Sequence, residues 1–173
     1  MDVNTSGDKS KVLAAVSVSG LFASFCVYCM SFYGNLADVL FPLFALFLFG
    51  ALALTLPIYV REYPTIGGPL FFWKFAHRMP NWVRRCEFVL VVIATAHFIW
   101  FAAHSGFGVP EVVNGQYVID DHGRIAKVLT QGEYFALRGA ALRMSMTITA
   151  VLYFLPSTYW WFLGNGKKMR ASV

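Results

Sequence analysis

Charge is scarce in this chain. Fourteen Lys and Arg and nine Asp and Glu make up 13% of 173 residues, where soluble domains average about 25%. Apolar residues reach 58% instead, and the mean hydropathy is +0.58. One small soluble core cannot hide such a surplus, so that class is excluded and lipid must cover part of the surface. Catalytic signatures are missing too. The sequence has no HExxH, no phosphate-cradling Gly loop, no metal-ligand spacing and no recognisable Ser-His-Asp constellation. No metal or cofactor is therefore expected.

What is present is four long apolar stretches. They run from Val12 to Tyr33, from Val39 to Val60, from Phe88 to Ala103 (lengthened at its start by Trp82 and Val83), and from Ala140 to Leu163. A hydrocarbon core about 30 Å thick takes roughly 20 helical residues to cross. The expected fold is an all-α membrane protein: one domain, a four-transmembrane-helix bundle with helices at about 12–33, 39–60, 82–104 and 139–163. None carries a basic residue at mid-depth, and none has the mid-membrane carboxylate that a proton-coupled transporter needs.

The loops set the orientation. Lys9, Lys11, Arg61, Lys74, Arg78, Arg84, Arg85, Lys167, Lys168 and Arg170 fall on one side. Only Arg124, Lys127, Arg138 and Arg143 fall on the other. The basic excess makes the first side cytoplasmic and keeps both termini there. It also accounts for the net charge of +5 by contact with anionic headgroups, so nucleic acid is not an expected partner. The N-terminus does not read as a cleaved signal, because its apolar run exceeds the usual 7–15 residues.

Helix one is rich in small residues, and Gly20 and Ser24 have the spacing that lets helix backbones approach closely. Helix two, with Phe41, Phe44, Phe47 and Phe49, reads as lipid-facing and bent near Pro57. Leu70 to Arg78 reads as an interfacial segment, and Asn81 as the N-cap of helix three. Across the membrane, residues 116–129 predict a small β-hairpin in the outer loop between helices three and four. Its strands are Gln116–Ile119 and Arg124–Leu129, turning at Asp120-Asp121-His122-Gly123. Thr130 to Glu133 is a capping box opening a helix that runs unbroken into helix four, with a kink expected near Leu152 from Pro156. Tyr153, Tyr159, Trp160 and Trp161 read as an inner aromatic belt. A two-stranded hairpin is marginal alone. It must lean on the helix-four extension, on the bundle mouth or on another protein.

The run Arg78-Met79-Pro80-Asn81-Trp82, the hairpin from Gly115 to Ile125, and Leu129 to Tyr134 together resemble a group of small four-helix bacterial inner-membrane proteins. These share a Tyr, His-Gly, short strand and Glu-Tyr pattern before the last helix. The resemblance covers about half of the chain and implies bacterial inner-membrane origin and this topology, but no activity.

Three sets of residues are candidates for chemistry. Cys26 and Cys29 form a CxxC near the outer end of helix one, a redox pattern in an oxidising compartment. With four helices and internal termini, the chain is similar in topology to the quinone-dependent disulfide-forming membrane proteins. It departs from them in lacking a second cysteine pair in the outer loop. Cys86, the remaining thiol, lies at the cytoplasmic end. His97 and His104 share a face of helix three, although a haem or metal would need a facing partner. Asp38, His104 and Arg143 come to similar depth at the outer mouth, as a structural Asp38–Arg143 pair or as a ligand site. The leading expectation is a non-enzymatic protein recognising a periplasmic partner, as an immunity-type protein or an accessory of an envelope complex. The bundle mouth and Tyr117, His122 and Arg124 of the hairpin are its candidate contacts. A thiol-disulfide oxidoreductase using Cys26 and Cys29 is one alternative, and a small homo-oligomeric carrier or channel is another.

Overall fold

The computed structural model describes residues 4–66 and 77–162; the interfacial segment expected from Leu70 to Arg78 lies outside them except for His77 and Arg78, as do Lys167, Lys168 and Arg170. Four helices are long and apolar enough to cross a membrane. In chain order they are α1 (Asn4–Met30), α2 (Gly34–Ile66), α3 (Asn81–Ser105) and α4 (Gln131–Phe162). Between α3 and α4 lie β1 (Val109–Val113), β2 (Gln116–Asp121) and β3 (Arg124–Val128). The helices alternate in direction, so one end of the bundle bears the sheet and the other bears Lys9, Arg61, Arg78, Arg84 and Arg85.

The helices are not equivalent. α4 packs against each of the other three, while α3 touches chiefly α4. Half of the most apolar stretch of α4 is buried, and none of that of α3 is. α4 is thus the axis of the bundle and α3 an outrider with exposed apolar flanks. This position corrects the aromatic-belt expectation. Tyr153, Tyr159 and Trp160 are buried, and only Trp161 is exposed. On a central helix the aromatics face neighbouring helices rather than headgroups.

α1 meets α4 through a repeat of seven. Ser10, Ser17, Ser24 and Ser31 are all buried, with Ala14 and Val27 between them. Small side chains let the backbones approach, the device by which helices associate without a hydrophobic driving force. The hydroxyls do not go unsatisfied. Ser17 and Ser24 donate to the Leu13 and Gly20 carbonyls, at 2.7 and 2.8 Å, and Ser31 to that of Tyr28 at 2.6 Å. Gly20 lies within this seam, beneath the ring of Tyr153.

α3 begins one residue earlier than the expected Asn81 cap implies. Pro80 occupies the cap position without a side-chain bond, and Asn81 is the first helical residue. Its carboxamide accepts from Arg84 instead. α4 opens as the sequence predicts. Thr130 Oγ1 accepts from the Glu133 amide at 3.3 Å, and Glu133 Oε2 accepts from the Thr130 amide at 2.8 Å. Thr130→Ala should cost about 1 kcal/mol of helix stability, read as a lower melting temperature with unchanged helix content in the cold. At 32 residues and 1.5 Å rise, α4 is about 48 Å long. It therefore stands well beyond a 30 Å hydrocarbon layer, and its continuity carries Pro156 inside it, buried.

Candidate functional site

The expected hairpin is the second half of a three-stranded antiparallel sheet in the order β1-β2-β3. β2 and β3 turn at His122 and Gly123, whose φ angles of 54° and 85° suit the primed turns that match strand twist. The strand not foreseen is β1. It joins β2 through Asn114 and Gly115, at φ 51° and 78°, with Val113 opposite Gln116. Asn-Gly is the strongest short hairpin signal in a sequence and would have located β1.

The sheet leans on the projecting turns of α4. Ile119, Leu129, Tyr134 and Leu137 form a buried cluster, with Tyr117 and Phe135 against it. Tyr117 lies 4.8 Å from Tyr134, ring centre to ring centre, which gives this candidate residue a packing role. Lys127 on β3 bonds Glu133 at 3.1 Å. At this first turn, level with the sheet, Glu133 is held down to about 2, first by the Thr130 amide and then by Lys127.

Beyond these contacts with α4, Arg138 ties the sheet to α2. Its Nε donates to Asp38 Oδ1 at 2.8 Å and its terminal nitrogen to the Pro110 carbonyl at 3.3 Å. Its guanidinium covers the Phe41 ring at 4.0 Å, and Tyr134 donates to the same Asp38 oxygen at 3.0 Å. Three elements, α2, β1 and α4, meet through this group. Pro110 suits its place, since an edge strand tolerates a residue without an N–H.

The expected Asp38–Arg143 pair is therefore corrected. Tyr134 and Arg138 are four residues apart and share a face of α4, but Arg143 is five further on, turned by about 140° at 3.6 residues per turn. Arg143 instead donates to the Ser31 carbonyl at 3.2 Å and covers Phe32. His104 does not join Asp38 or Arg143. It is exposed, stacked on Trp100 at 4.1 Å with Nδ1 at 2.8 Å from the Trp100 carbonyl. His97 faces inward between Tyr28 and Thr147, each at 3.4 Å.

The remaining candidates are dispersed. His122 is exposed in its turn, with Nδ1 2.7 Å from Asp121. Arg124 is exposed at the start of β3. Cys26, Cys29 and Cys86 are free thiols, the first two on α1 and the third near the opposite end of α3. Among the described residues no group of three or more His, Cys, Asp or Glu is placed to hold a metal ion. No protein family, curated protein or solved structure matches the chain.

What stands apart is β3. All five of its residues are exposed, Ile125 by 55% and Val128 by 60%, and it is an edge strand of the sheet, as β1 is. The Leu129 amide donates inward to the Tyr117 carbonyl at 2.8 Å. Alternation along a strand then turns the Val128 amide toward the open edge.

Proposed function

We propose that the chain is a multi-pass protein of a bacterial inner membrane, with its basic end cytoplasmic, that binds a partner protein through the sheet on the other side and catalyses no reaction itself. The observation supporting this reading is the exposed, unpaired edge of β3, on a sheet packed on α4 and tied to α2 by Arg138. Edge strands are ordinarily blunted by charge, proline or cover because they template pairing. Here the Lys127 charge is drawn to Glu133 at 3.1 Å and Arg124 stands at the start of the strand, which leaves Ile125 and Val128 exposed along an open edge. An extended segment of the partner adds as a fourth strand, its main chain giving affinity and these side chains specificity.

A photoreactive residue in place of Ile125, activated in intact cells, should give one discrete protein adduct on the far side of the membrane. The same residue at Val92, on the exposed flank of α3, should give none. Absence of an adduct at position 125, or adducts only with a second copy of the chain, would overturn the reading.

A further inference from the structure

A lateral cleft of about 610 Å³ opens between α1 and α3, in the half of the bundle away from the sheet. Phe22 and Phe25 of α1 and Val89 and Leu90 of α3 wall it, over Ala150 and Phe154 of α4. It exists because α3 packs on α4 and scarcely reaches α1. Its size is within the usual range of about 300–1,000 Å³ for small-molecule sites. The walls offer hydrocarbon rather than the two to four polar partners that a water needs, so the complement of the cleft is an apolar chain.

One charge stands at its rim, Arg85. Four residues after the first residue of α3, at 1.5 Å each, it lies about 6 Å along the helix from that end. A long basic side chain there reaches headgroup phosphates while its stem stays in hydrocarbon. Its neighbours are occupied: Arg84 meets His77 and Asn81, and Arg78 meets Glu62 at 3.2 Å. Arg85 makes no ion pair among the described residues. An apolar slot beside an available cation matches a ligand with an acyl chain and an anionic head.

We propose that the cleft holds one acyl chain of an anionic phospholipid whose phosphate is met by Arg85. This rests on the membrane reading above and is independent of the strand-docking one. The test is native mass spectrometry of protein released from vesicles of equal phosphatidylglycerol and phosphatidylcholine. The wild type should retain one phosphatidylglycerol, favoured about fivefold over phosphatidylcholine. Arg85→Gln should lose the preference and keep an acyl chain, and Ala150→Phe, which fills the floor, should retain no lipid. If Ala150→Phe fails to fold by circular dichroism, Val89→Trp on the exposed wall carries the same expectation. No retained lipid in the wild type, equal retention of the two headgroups, or an unchanged preference in Arg85→Gln would overturn the proposal. Resistance to alkaline extraction is scored on the same vesicles. A protein that resists extraction yet retains no lipid overturns this site alone, and one that is extracted overturns the membrane reading.

Discussion

Arg138→Ala should loosen the sheet against the bundle at a cost of about 3 kcal/mol. Removing the guanidinium strips Asp38 of its charged partner, the Pro110 carbonyl of its donor and Phe41 of its cover. Hydrogen bonds to charged groups are worth about 1.5–3 kcal/mol net, and a cation over an aromatic ring adds about 1 kcal/mol. Asp38 keeps 38% of its side-chain surface exposed, which holds the loss below the extreme of breaking a fully buried pair. The loss is local. Limited proteolysis between residues 106 and 130 should accelerate about a hundredfold, as expected for 3 kcal/mol of easier opening, while the helices melt only slightly earlier. Arg143→Ala loses one carbonyl and one ring contact at the α1–α2 turn, and should leave the sheet as resistant as before. If Arg143→Ala freed the sheet and Arg138→Ala did not, the assignment of the clamp would be wrong.

The second large effect belongs to the seam between α1 and α4. A Cβ on Gly20 would lie 2.3 Å from Cε1 of Tyr153, with two more ring atoms within 2.7 Å. The other end of the ring lies against α2, where a Cβ added to Gly50 would be 2.5 Å from the Tyr153 hydroxyl. Tyr153 is boxed between glycines of two helices. Overpacking a well-filled core costs about 1–3 kcal/mol, and Gly20→Leu should reach the top of that range, read as a fall in detergent melting temperature. Tyr153→Ala vacates the space, so adding it to Gly20→Leu should recover most of the loss. Residues in contact couple in this way; strictly additive losses would show that the two do not meet.

The spans were legible because a bilayer imposes a simple rule on composition, and the capping box at Thr130 announced that α4 extends beyond its span. Three things escape such a reading, each for a physical reason. Depth along a helix says nothing about which face a residue occupies, so Arg143 was paired with Asp38 when its turn around α4 excludes this and favours Arg138. Aromatics near a helix end suit either a headgroup belt or a bundle interior. The arbiter is the neighbouring residue types: Ser145, Thr149 and Ser157 are buried beside Tyr153 and Tyr159, and small polar residues mark a helix–helix face. The serine repeat of α1 carried the same message at a spacing of seven. β1 was obscured by Pro110, which argues against a central strand but not an edge.

The claim that β3 is a docking edge is tested most directly by closing that edge. Val128→Pro removes an outward N–H while the Leu129 bond to Tyr117 stays, so the sheet itself should persist and resist proteolysis as in the wild type. With a photoreactive residue at position 125, the partner adduct should then fall at least tenfold, since it depends on main-chain pairing. An adduct of undiminished yield from a Val128→Pro protein with an intact sheet would contradict strand addition as the mode of recognition.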